Sequence, residues 1–324
     1  MKPLYVRLGA LGIAETYVRD LVLPQWWEDE AAENPVTYSQ ALMIVARHLG
    51  LDFRALRDPD APLVPVIPAS CRYKKVAGAP IDSLEVATAI SLRVASLVCT
   101  AMSQHPLEPV GQALDVRSSI LASGAPWVGL EQLLDYCWSV GVPVVPITKW
   151  PAKGGRPSAL AAHLSGRPVI IICNKKSSAW LLFEIAHELG HIALGHLQDG
   201  GAVLDEKFDG QESDAEETAA NEYAETLLTG RPHPCYASAR WMKAGRLAQE
   251  AAVIGRRDRV DPGHVILNYC SSSGPDFYRL ANAALKKLAQ VPPTSLMRER
   301  MMQELDWDEI PEESAEYLVR VTAP

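Results

Sequence analysis

An α+β fold, rich in helix, is predicted by three observations. Apolar residues recur at helical spacing from Ile81 to Met102, from Leu247 to Ala252 and from Ala281 to Leu288. One short apolar run, Pro168 to Cys173, reads as a strand. After it, Phe183 to His191 and Glu212 to Ala224 have the periodicity of two more helices, the first apolar and the second acidic. With 324 residues, 48% of them apolar, the chain can fill the cores of two domains.

Taken in order, residues 1–65 form a helical N-terminal region that ends in the Pro-rich stretch Pro59 to Pro68. Ala41 to Asp52 is similar to the closing helices of a repressor-type helix-turn-helix, with Trp26-Trp27-Glu28 where such folds carry a Trp-Glu pair. A reading helix needs basic and amide side chains, whereas Arg19 stands among Glu15 and Asp20, and Glu28-Asp29-Glu30 follows. Docking or regulation is therefore the better expectation for this region. Residues 66–124 supply the linker and a helical connector, 125–232 the core, and 233–324 a helical C-terminal region with a turn at Val260 to His264.

Composition narrows the class. A net charge of −8 argues against a protein that coats duplex DNA, although a local basic groove remains compatible with it. The most apolar helices are interrupted by Arg93 or by the His and Glu of the apolar motif, so no membrane span is expected, and the N-terminus opens without a signal core. Cysteines at 71, 99, 137, 173, 235 and 270 form no Cys-x-x-Cys pair, which reads as reduced thiols in a cytoplasm.

The chemistry is declared by His187-Glu188-Leu189-Gly190-His191. Residues four apart share a helix face, so His187 and His191 can converge on one ion while Glu188 projects beside it toward a metal-bound water. Tetrahedral Zn²⁺ then lacks a third protein ligand. His196 lies five residues beyond His191, about 140° around an ideal helix, and faces away unless the helix breaks at Gly195. Leu194 and Leu197 stand where a metzincin would need glycine and histidine. Glu217 is the better source: it shares a face with Ala220, Asn221, Ala224 and Leu228, and the two alanines would let its helix approach the motif helix. Glu216 points about 100° away, as a surface acid would.

These residues resemble the ImmA/IrrE-type zinc endopeptidases, whose core couples His-Glu-x-x-His to a later Glu-x-x-Ala-Asn-x-aromatic-Ala-x-x-Leu-Leu helix. Glu217, Asn221, Tyr223, Ala224, Leu227 and Leu228 stand in register with that second half. Gly141 to Val145 and Gly166 to Ile172 look like the two strands that precede the metal helix, so the resemblance spans about residues 125–230. The chain departs from the family at Trp180, often basic there, and at Thr229-Gly230, often Met-Pro. The resemblance implies a zincin-like peptidase core: a few-stranded sheet, a His-Glu-x-x-His helix and a Glu-bearing helix. It further implies Zn²⁺ as cofactor, and cleavage of a helix-turn-helix repressor that releases a stress, mobile-element or antiphage defence locus. Some members of the family respond to single-stranded DNA.

Zn²⁺ at His187, His191 and Glu217, with Glu188 as general base, completes a peptidase constellation. Tyr223, Asn221 and His196 are candidates to stabilise the transition state, although core packing or helix capping is the better expectation for each of them. The strand from Pro168 is expected to offer a backbone edge to an extended substrate. Two basic clusters, Arg72, Lys74, Lys75 and Arg256, Arg257, Arg259, are candidate nucleic-acid contacts, weighed against ordinary solvated charge. Cys71, on a Pro-bounded loop, is a candidate inhibitory ligand for the open zinc position. The rival reading is a DNA-binding or docking regulator whose peptidase fold cuts nothing.

Overall fold

The computed structural model describes residues 1–73, 81–151, 155–197, 200–205, 215–236, 242–273, 277–288 and 292–324. Its centre is a mixed sheet of β1 (Cys71–Tyr73), β2 (Val144–Pro146), β3 (Ala159–Leu164), β4 (Arg167–Ile172) and β5 (Ala202–Asp205), in the order β1-β5-β3-β4-β2. Helices account for most of the rest, which makes the fold α+β and helix-rich.

β3 and β4 form an antiparallel hairpin in which Leu164 faces Arg167. The two residues between them, Ser165 and Gly166, both have positive φ, at 55° and 75°, as a type I′ turn requires to match the twist of its strands. β4 is buried along its whole length, and the unbroken apolar run that follows Arg167 suits a strand covered on both faces. Leu160, Ala162, Val169 and Ile171 point into one core. Ala159, Ile170 and Ile172 point into a second core on the other face, shared with the helices Leu130–Ser139 and Ser178–Ala193.

The expected substrate edge needs correction. β4 is interior, paired with β3 on one side and with β2, in parallel, on the other. Its backbone groups are spent on those ladders, so an incoming peptide cannot add to it.

The first core also gathers the N-terminal helices, the helix Ile81–Ala101 and the C-terminal helix Glu312–Val321. Leu84–Ala101 is long and apolar enough to cross a membrane, contrary to the reading that Arg93 interrupts it too far. However, 72% of that stretch is buried inside the molecule, and Arg93 donates to the Arg47 carbonyl, as in a core helix.

A third core joins the helices Ala244–Asp258, Pro262–Ser273 and Tyr278–Leu285. Arg117 ties it to the centre. Its guanidinium donates to the carbonyls of Leu228 and Arg259, both at 2.7 Å, which satisfies an orphan carbonyl at the end of the helix Ala215–Thr229.

Candidate metal centre

The motif helix Ser178–Ala193 packs Leu181, Leu182, Ile185 and Leu189 into the second core and turns His187 and His191 toward the acidic helix Ala215–Thr229. The two helices touch at Gly190. A Cβ there would stand 3.1 Å from the Ala220 carbonyl oxygen and 3.2 Å from the Ala220 Cα, so the approach needs glycine facing alanine. That closeness brings Glu217 across to both histidines.

His187 Nε2 lies 3.3 Å from Glu217 Oε2, His191 Nε2 lies 3.2 Å from Glu217 Oε1, and the two Nε2 atoms are 3.1 Å apart. Donors held about 2.0–2.1 Å from a tetrahedral centre stand roughly 3.3 Å from one another, so this spacing fits a zinc-sized ion. The histidines are 3% and 1% exposed, and Glu217 is nearly as buried, so the cluster is not a chance meeting of surface groups. Two imidazoles and one carboxylate are a donor set that catalytic zinc sites use.

Glu188, 1% exposed, leaves the helix on the neighbouring face, toward the end of β4. The Cys173 thiol there is pushed up to about 12, chiefly by burial and further by the nearby carboxylates of Glu188 and Glu184. Glu184, one turn before Glu188, accepts a hydrogen bond from Asn174 Nδ2 at 2.9 Å and pairs with Lys176.

Each histidine is also held from behind. His187 Nδ1 lies 3.0 Å from Asn221 Oδ1, and His191 Nδ1 lies 2.9 Å from His196 Nδ1. The helix does break before His196, at Gly195 with φ +72°, which brings this histidine back to the site but not into the ligand trio. Asn221 and His196 therefore stand behind the two candidate ligands. Tyr223 is buried and donates to the Gly111 carbonyl at 2.8 Å, so it belongs to the core. One further pair extends the seam. Glu225 follows Glu217 and Asn221 at helical spacing and contacts His264 Nε2 at 2.9 Å, while the His264 ring stacks on Phe183.

Residues 140–254 match the family model described as the IrrE N-terminal-like domain, a peptidase family. Over that stretch the chain is similar to the IrrE N-terminal-like peptidase domain. The match runs from just before β2 into the helix Ala244–Asp258 and contains His187, Glu188, His191 and Glu217. No curated protein and no solved structure matches the chain.

The remaining candidates lie elsewhere. Cys71 is not on a free loop: it pairs with Ala202 in β1, and its thiol is raised above the ordinary range by burial, which disfavours a ligating thiolate. Among the described residues, it is not part of the metal trio. Arg72 also belongs to β1, and Lys74 and Lys75 fall outside the described residues. In the second basic cluster Arg256 is exposed, but Arg257 is committed to Asp258. Arg259 donates to the carbonyls of Leu121 and Ala125, which makes it a structural tether and not a free phosphate contact.

Proposed function

We propose that the IrrE-like domain is a zinc-dependent endopeptidase acting on a helix-turn-helix repressor, in a cytoplasmic regulatory or antiphage defence locus. The observation that carries the catalytic part is the convergence of His187, His191 and Glu217 on one point, with Glu188 on the next face of the same helix. Those three side chains would hold Zn²⁺, which supplies Lewis acidity for amide hydrolysis when bound. Glu188 takes the proton of the attacking water and returns it to the leaving amine, a shuttle that needs a buried carboxylate beside the ion. The repressor as substrate, and single-stranded DNA as activator, rest on the family resemblance. Six free cysteines accord with a reducing compartment.

The test incubates the zinc-loaded protein with the helix-turn-helix protein encoded beside it, with and without single-stranded DNA, alongside Glu188→Gln. Cleavage by the wild type alone is expected, and dependence on DNA would identify the trigger. An intact partner in every lane, with zinc bound, would favour the docking-regulator reading.

A further inference from the structure

His196 reaches the metal centre through a reversal of the chain. The motif helix ends at Ala193, Gly195 adopts φ +72°, and the His196 amide donates to the His191 carbonyl at 3.0 Å. A continued helix would have carried His196 about 140° away from His191. Instead its ring meets the His191 ring edge-on, with centroids 5.0 Å apart and planes at 67°, and the two Nδ1 atoms are 2.9 Å apart.

This contact has one chemical direction if His191 binds a cation through Nε2, as its 3.2 Å approach to Glu217 indicates. A neutral imidazole that ligates through Nε2 must carry its hydrogen on Nδ1. His191 therefore donates, His196 Nδ1 accepts, and His196 holds its own hydrogen on Nε2. We propose that His196 is a positioning residue that fixes the tautomer and ring plane of His191, as Asn221 does for His187 from the acidic helix. The site thus receives one neutral acceptor from each side of the motif helix, so both imidazoles are oriented without adding a second carboxylate to the centre. The inference rests on the zinc reading of His187, His191 and Glu217.

The test compares His196→Asn with His196→Phe in the full chain. Asparagine places Oδ1 where imidazole has Nδ1 and keeps an acceptor; phenylalanine keeps the ring bulk and removes it. Zinc affinity, read by competition with a chromogenic chelator, is expected to fall about 10–100-fold in His196→Phe and to stay within about threefold of wild type in His196→Asn. Thermal unfolding of the metal-free protein should be the same in all three, which a packing role would not allow. Wild-type zinc affinity in His196→Phe, or an equal loss in both variants, overturns the assignment. A His191→Ala control keeps the two readings apart. If it binds zinc as tightly as wild type, the metal reading itself fails, whatever the His196 variants do.

Discussion

At the scale of single residues the proposed mechanism divides the site into three groups that would hold an ion and one, Glu188, that would move a proton. Glu188→Gln keeps the shape of the side chain and removes its basicity, so zinc content should stay at the wild-type level while cleavage falls by about 10²–10⁴-fold. Metal analysis beside a cleavage assay checks this, and a variant that still cuts at the wild-type rate would remove Glu188 from the mechanism. His187 and His191 were legible because a spacing of four puts them on one helix face, and Glu188 because the adjacent position lies on the next face beside them. Glu217 over Glu216 was legible for the same reason on the second helix, and the structure brings Glu217 to both imidazoles. The place of His196 was legible only as a condition, because it depends on the single left-handed residue Gly195. The pairing of Glu225 with His264 could not be read, since their contact spans 39 residues and depends on how a third helix docks.

At the scale of elements, the centre is set by how closely two helices pack. Gly190 has 0.2 to 0.3 Å less room for a Cβ than ordinary contact allows, with the Ala220 oxygen at 3.1 Å and the Tyr223 Cβ at 3.2 Å. Gly190→Ala should therefore push the acidic helix outward, destabilise the fold by about 1–3 kcal/mol and weaken zinc binding as Glu217 is carried away from the histidines. Denaturant unfolding of the metal-free protein and chelator competition measure the two effects separately. Unchanged zinc affinity would mean that Glu217 is not placed by this contact. The small residues on the acidic helix are visible in the sequence, whereas nothing in the local pattern marks the glycine inside the motif as their partner. Strand order was less legible still. The apolar run of β4 announces a strand covered on both faces, yet β2 and β3 as its neighbours are settled by the Ser165-Gly166 turn and by long-range pairing. A run read alone therefore looked like an available edge.

At the scale of the whole molecule, the two ends of the chain close on each other. The C-terminal helix Glu312–Val321 lies against the helix Pro35–Leu49, with Tyr317 stacked on His48 at 4.3 Å and Arg47 paired to Glu313 at 2.8 Å. Contacts over 266 residues leave no trace in local periodicity, so this clamp is invisible to the sequence pattern. At its centre, His48 is fully buried, with Nδ1 at 2.9 Å from the Val22 carbonyl and Nε2 at 3.2 Å from Ser314 Oγ. Burial lowers its pKa from 6.5 to about 4, opposed by the Val22 carbonyl and reinforced by Arg47, Arg320 and Arg93. The unfolded chain therefore takes up this proton near pH 6.5, while the folded chain resists until about pH 4. The stability contributed by the neutral ring is complete above pH 6.5 and is lost progressively as the pH falls toward 4. By pH 5 the loss should reach about 2 kcal/mol. Unfolding free energies of the metal-free protein, taken from denaturant titrations at pH 7.5 and pH 5, should thus separate by about 2 kcal/mol more in the wild type than in His48→Leu, even though the variant is the less stable protein at pH 7.5. Equal pH dependence in the two proteins would show that protonation of the clamp is not what acid acts on.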